Sequence, residues 1–356
     1  MKKYPSKLLE NQRNTFYCLF LVLVVSSCEN QPATEKKQEE QSQSVQESVK
    51  TVAKKATLLS EKPKEIVLFD LLCLEERPKA GFISLSDIDQ LSENNDSLAI
   101  QDVSAWTYDS ARYFQLDSLY RKRFLHRTGI SENDVVFFYD YDADKLVSIP
   151  VKKLRIVANL NIYASPEDAP FSQSDYMIGF EVDKALLKGF KGPYYSTTLV
   201  SIGKESPFVR GQMKPIRWQK TKRSEFPLAK MSRKGRAKLE KAKGGTVYSC
   251  KIDSLQYVVQ ELIHDDRNDA RCLLVLNTKT NEVIFERIYE EGESAGLAPL
   301  NYTNRDSGDK EQWTGNLFKN RGPVLFGFVY YSFSCPEISF LEKHAQDIYI
   351  NCDNRN

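Results

Sequence analysis

The sequence lacks an excess of either charge: 50 Lys and Arg stand against 48 Asp and Glu in 356 residues, a formal +2. That near-balance argues against a nucleic-acid binder, whose domain carries a net basic charge. Histidine is scarce, at three positions (His126, His264 and His344) far apart in the chain, and no Cys-x-x-Cys pair occurs. A zinc site, which gathers such ligands at short spacings, is not expected, and neither is any other metal or cofactor. The apolar run at 15–25 falls well short of the ~20 residues that a membrane-crossing helix needs.

That short run is informative for another reason. Lys2, Lys3, Lys7 and Arg13 precede it, and it ends in Val25-Ser26-Ser27-Cys28. A charged leader, a short apolar core and small residues before a cut make a secretory signal peptide over 1–27. The last four residues resemble the bacterial lipobox, with Val replacing the usual Leu and Ser replacing the usual Gly or Ala before the cysteine. The resemblance implies cleavage before Cys28 and a diacylglyceryl thioether on its sulfur. Acyl chains contribute about 0.8 kcal/mol per buried methylene, so two or three hold a protein on a membrane almost permanently.

Residues 28–61 are rich in Gln, Glu, Lys and Ser and contain no aromatic side chain. Such a composition builds no apolar face and is expected to be a disordered tether. Glu29 follows the cysteine, where an Asp would mark inner-membrane retention in enteric bacteria, and the polar stretch resembles leaders of outer-membrane lipoproteins in Bacteroidetes-type bacteria. Both features point to a lipid anchor in the outer membrane, facing the periplasm or the cell exterior.

From residue 62 the chain changes to short runs of β-branched and aromatic residues bounded by turn residues, which predicts a mainly β, β-rich α+β body. Its length suggests two antiparallel-sheet domains with few helices: 62–213 and 246–356, joined by a basic linker or helix at 214–245. That linker carries twelve Lys or Arg between 214 and 243 against Glu225 and Glu240. Pro227 reads as a helix start and Gly235 as an interruption. In the first domain, 65–74 reads as one buried strand. Asp117 reads as the N-cap of a helix that carries Leu119, Tyr120 and Phe124 on one side and stops at Gly129, and 134–141 with 146–149 as a hairpin. In the second, 255–263, 272–276 and 282–289 read as a meander, followed by a loop at 292–312 and a strand at 323–333. Gly179-Phe180 and Gly327-Phe328 suggest a distant duplication of the two halves.

With Cys18 cut away and Cys28 lipidated, Cys73, Cys250, Cys272, Cys335 and Cys352 remain for an oxidising compartment. The runs 337–341 and 347–352 should form a hairpin in which Phe340 faces Asp347. Partner numbers then sum to 687, and Cys335 faces Cys352 across the strands, slightly wider than the roughly 3.8 Å between Cβ atoms that a disulfide prefers and closed by a small adjustment, in a register that Pro336 leaves open to a shift of about one residue. Cys73 is expected to be the buried free thiol.

Several groups have the composition of a site. Asp140, Asp142 and Asp144 alternate at a hairpin tip, where carboxylates serve either acid–base chemistry or the turn itself. His264, Asp265, Asp266 and Asp269 carry metal-ligand types in a turn without EF-hand spacing. Gly292-Glu293-Ser294-Ala295-Gly296 matches the letters of a nucleophile elbow, making Ser294 a candidate with His264 or His344 as base, but no helix is expected after it. Trp313, Tyr302 and Tyr330 are candidate stacking surfaces for sugars. Together these features describe a membrane-anchored extracytoplasmic lipoprotein, a binding or structural component of the cell envelope. Its expected partners are membrane lipid through Cys28 and envelope polysaccharide or another envelope protein, with no nucleic acid. The alternatives are an envelope hydrolase acting on a glycan or ester, or an accessory subunit of a transport or secretion assembly.

Overall fold

Alternation along single strands sets the architecture. In the strand Val135–Asp140, Phe137 and Tyr139 enter one core while Val136 and Phe138 enter another, as a side-chain period of two dictates for a strand buried on both faces. The computed structural model describes residues 65–74, 80–89, 99–191, 195–303, 310–332, 334–342 and 345–353. The signal peptide, the lipobox with Cys28, the tether and His344 lie outside these described residues.

The centre is a nine-stranded sheet, in the order Met213–Pro215, Trp313–Gly315, Val324–Phe326, Glu337–Phe340, Ile348–Asn351, Leu68–Phe69, Thr198–Gly203, Val135–Asp140 and Lys145–Pro150. Leu68 pairs with Ile350 in parallel, while the other neighbours run antiparallel. The sheet curls on itself. Tyr141, just past the strand Val135–Asp140, packs edge-on against Trp313 and Phe326 from strands near the opposite edge, with ring centroids 5.0 and 5.2 Å away. The two edges meet at Asp144, whose carboxylate accepts the Gly211 amide at 2.6 Å and whose carbonyl accepts the Arg210 guanidinium at 2.8 Å. The two end strands, Met213–Pro215 and Lys145–Pro150, share no ladder and are joined through this turn.

Two further sheets pack on this one. The first, of Leu72–Cys73, Ala80–Ser84, Tyr176–Asp183, Arg155–Leu160 and Tyr113–Gln115, shares a core with Val136, Phe138 and Val200 and with the helix Ser118–Arg127. Asp117 caps that helix as expected, its carboxylate accepting from the amides of Leu119 at 2.8 Å and Tyr120 at 3.1 Å. Phe124 and Leu125 face inward, but Leu119 is 51% exposed and not on the buried side.

The second is a meander of long strands, Lys243–Ile252, Leu255–His264, Arg267–Asn277 and Val283–Glu290, with Gln219–Thr221 at its edge. Tyr257, Val259, Leu273 and Val275 face Leu325 and Phe328 of the central region. Val258, Leu262, Cys272 and Leu274 face the opposite way, toward Phe226 and Met231.

Those two residues belong to the basic segment, which differs from the expected linker. It contributes strands to two sheets and then crosses the outer face of the meander as a strap. A single 3-10 turn, Leu228–Lys230, starts at Pro227 as expected, but the α-helix is Arg233–Leu239, capped by Ser232, and Gly235 is buried inside it rather than interrupting it. A Cβ on Gly235 would overlap the Glu286 carboxylate, which accepts the Ser232 amide at 2.8 Å and hydroxyl at 2.6 Å.

Strands from both sides of 214–245 join the nine-stranded sheet, so this segment does not divide the body into two domains, and Glu65–Asn356 forms one unit. The run 65–74 is likewise not one strand: it breaks at Asp70 and Leu71 and feeds two sheets. The run 323–333 breaks at Gly327, at φ +86° with the Glu311 carbonyl where a Cβ would sit, so only glycine fits. Gly179 lies inside a regular strand, so the two Gly-Phe pairs have different conformations and give no sign of duplication.

Candidate functional site

Both broken runs open onto the same place. A cleft of about 570 Å³ lies between the curled sheet and the last meander strand, lined by Asp70 from the first break and by Phe326 to Tyr331 from the second. Its size falls in the range of small-molecule sites, roughly 300–1,000 Å³. Leu199, Ile338 and Ile350 contribute from the central strands, and Arg287 and Tyr289 from the meander.

Seven aromatic residues contribute to its walls. Trp313 is held rigidly, with its indole N–H donating to the Lys310 carbonyl at 2.8 Å and Tyr141 packed against it. Tyr289 stacks on Phe328 with centroids 4.8 Å apart. Tyr330, by contrast, lines the cleft and is 48% exposed. Burial raises the phenols of Tyr141 and Tyr289 far above their ordinary range and pushes Tyr331 up to about 12. At neutral pH all three are uncharged hydroxyls that both donate and accept hydrogen bonds.

Charges on the cleft are mostly tied down. Lys310 pairs with Asp142 at 2.5 Å while its ammonium lies 5.6 Å from the Trp313 ring centre. Arg287 binds Glu337 and Asp347, each at 2.5 Å, and the Ser339 hydroxyl at 2.9 Å. Burial raises the Glu337 carboxyl, and the Arg287 charge pulls against that rise. Asp70 differs from these. Burial raises its carboxyl, opposed by the hydrogen bond from the Leu71 amide at 2.8 Å.

Of the residues singled out in the sequence, Trp313, Tyr330 and Asp142 line this cleft. Tyr302 is not among its lining residues; it is 41% exposed and lies under the Arg217 guanidinium, 4.5 Å from the ring centre. Asp140 is buried and accepts the amides of Asp142 and Ala143 and the Thr197 hydroxyl, each at 3.0 Å. It holds the loops that carry Tyr141 and Ser196. Asp144 sits at φ +49° and joins the sheet edges. These two carboxylates are therefore committed to the turn.

Ser294 is exposed in a tight turn closed by the bridge of Gly292 to Ala295, and the strand Ala295–Leu297 follows it, so the strand-to-helix geometry of a nucleophile elbow is absent at this position. His264 bonds Asp269 at 2.6 Å, while Asp265 and Asp266 take left-handed conformations in the two-residue turn between His264 and Arg267. Cys335 and Cys352 form the expected disulfide, with Cα atoms 5.5 Å apart. The adjoining hairpin pairs Glu337 with Tyr349 and Ile338 with Ile348, one residue away from the expected sum. Cys73 is half-buried, and the buried free thiol is Cys272, pushed up to about 12 by burial.

Sequence reasoning missed Asp70, Tyr141, Arg287 and Glu337. Only for Tyr141 was there a signal, an aromatic beside the Asp-rich turn; the others come from distant runs that look like ordinary strands. The chain matches none of the family models, curated proteins or solved structures with which it was compared.

Proposed function

We propose that the chain is an envelope lipoprotein whose body binds a glycan in the aromatic cleft. The carrying observation is the composition of that cleft. One exposed ring, Tyr330, the half-buried rings of Tyr141, Phe326 and Tyr331, the rigidly held Trp313 at 2% exposure, and carboxylate–guanidinium and carboxylate–ammonium pairs line one cavity of about 570 Å³. Aromatic faces cover the apolar C–H faces of sugar rings, while fixed polar groups recognise the hydroxyls. The resemblance of Val25-Ser26-Ser27-Cys28 to a lipobox supports anchoring by lipid on Cys28. Two measurements test the two parts. Mass spectrometry of membrane-purified protein should find an acylated N-terminal peptide starting at Cys28, and an unmodified Cys28 peptide contradicts the anchor. Intrinsic fluorescence titrated with envelope glycan fragments should saturate, and flat titrations contradict the glycan reading.

One observation favours hydrolysis as a second reading: the raised carboxyl of Asp70 faces the same cleft. A carboxyl whose affinity for its proton is raised by burial is the direction a general acid for glycoside cleavage needs. Under this reading Asp70→Asn abolishes release of reducing sugar while leaving glycan binding in place. Under the binding reading the wild-type protein releases none.

A further inference from the structure

The strap at 214–243 segregates the charge of the whole molecule. It carries twelve cations and two anions, a formal +10, which leaves −8 for the rest of the chain (+2 less +10). The structure explains why these charges gather on one surface. Phe226, Met231 and Gly235 are buried against the meander, and the residues between them are forced outward. Lys222, Arg223, Arg233, Lys234, Arg236 and Lys241 are all exposed and make no ion pair among the described residues. Lys238 is the exception on the helix, held by Glu290 at 3.1 Å. Such a concentration of unpaired cations costs self-repulsion in the isolated molecule, and a polyanionic surface relieves it.

Two features select among polyanions. The strap's aromatic residues, Trp218 and Phe226, are 3% and 7% exposed, so no stacking platform for bases is presented. Leu228 is 48% exposed in the midst of the cations. An apolar side chain bared among Lys and Arg is the composition of a surface that sits at a bilayer interface, charges on the headgroups and the aliphatic group below them.

We propose that the strap is a docking surface for the phosphate headgroups of an anionic lipid bilayer, with Leu228 entering the interface. Docking would set the orientation of the body on the membrane independently of any covalent lipid and independently of what the cleft binds. The test uses the full chain with Cys28→Ser, mixed with vesicles of phosphatidylcholine alone or with phosphatidylglycerol added.

Preferential retention on the anionic vesicles is expected, falling steeply when salt rises from about 0.1 M to about 1 M and the screening length shrinks from about 10 Å to about 3 Å. A variant carrying Lys234→Glu, Arg236→Glu and Lys241→Glu touches no buried residue and should lose retention by roughly 100-fold, since each cation near such a surface contributes a factor of about five. Leu228→Ser should weaken retention on vesicles and leave adsorption to soluble sulfated polysaccharide unchanged. Equal retention on the two vesicle types, wild-type retention by the triple variant, or adsorption to the polysaccharide without preference for anionic vesicles would each overturn the proposal.

Discussion

The meander and the curled sheet bury comparable apolar faces by opposite routes. In the meander each long strand pairs with its immediate neighbours in sequence through tight turns, such as His264 with Arg267 and Ile252 with Leu255. The curled sheet is assembled from short strands drawn from across the chain: Leu68 beside Ile350, Met213 beside Gly315, Phe69 beside Val200. Local pairing closes small loops at low entropic cost but gives a regular, filled surface. Distant pairing costs more chain entropy and leaves breaks, at Asp70–Leu71 and Gly327, where strands leave one sheet for another. The cleft lies at those breaks. Function is thus proposed for the region whose assembly is the more demanding.

The sharpest way to break this comparison is to separate the two regions. Phe328 is fully buried between them, stacked on Tyr289 and 6.1 Å from the Trp218 ring. Phe328→Ala should cost about 3–5 kcal/mol by emptying that contact, with the curled sheet losing hydrogen-exchange protection before the meander strands do. Simultaneous loss of protection in both would show that they unfold as one.

Opening the disulfide is expected to have the next largest effect. Cys335 and Cys352 are 17 residues apart in sequence, and closing such a loop stabilises the folded state by about 3 kcal/mol in the chain-entropy model. Cys352→Ser should lower the unfolding midpoint and release Ile348–Asn351, and with it the parallel pairing to Leu68–Phe69. Chemical denaturation followed by exchange at Ile350 reads both effects.

A smaller effect is expected at Asp70. Its folded-state carboxyl is raised by burial, so between the ordinary carboxyl value and the raised one the folded chain holds a proton that the unfolded chain has released. Stability therefore falls as pH rises across that window, and the cost of the buried charge persists above it. Asp70→Asn should raise the melting temperature at neutral pH and remove that pH dependence. An unchanged pH profile of stability would show that burial at the break is not what governs this carboxyl.

The smallest effect belongs to the meander. Asp265 and Asp266 both hold positive φ, at 48° and 60°. Asp266→Gly removes the left-handed penalty and adds backbone entropy to the unfolded chain, for a net gain of about 0.5 kcal/mol. Thermal melts detect this, and a loss instead of a gain would show that the Asp266 side chain contributes to the turn.

How much was legible in the sequence follows the same division. Three of the four long meander strands, the Asp117 cap and the hairpin around 142–145 were readable because their determinants lie within a few residues of one another, whereas Lys243–Ile252, which begins within the basic segment, was not. The Cys335–Cys352 pairing was readable for the same reason, apart from a one-residue slip beside Pro336. The curled sheet was not, because nothing near Leu68 announces Ile350. The basic strap was misread as a linker because its anchors, Phe226 and Met231, are too few to form a visible apolar period among so many cations. The cleft was legible only in fragments, as aromatic and acidic residues whose meeting depends on distant pairings.

The central claim is that the cleft recognises a glycan through its aromatic rings, of which Tyr330 is the exposed one. Tyr330 tests it most directly, because it lines the cleft yet is exposed enough for its removal to leave the core intact. Calorimetric titration of envelope glycan fragments into wild-type protein and Tyr330→Ala is the measurement. The account predicts saturable binding that weakens by roughly tenfold in the variant, the loss of one stacking contact of about 1 kcal/mol or somewhat more. Equal affinity in both proteins would contradict it.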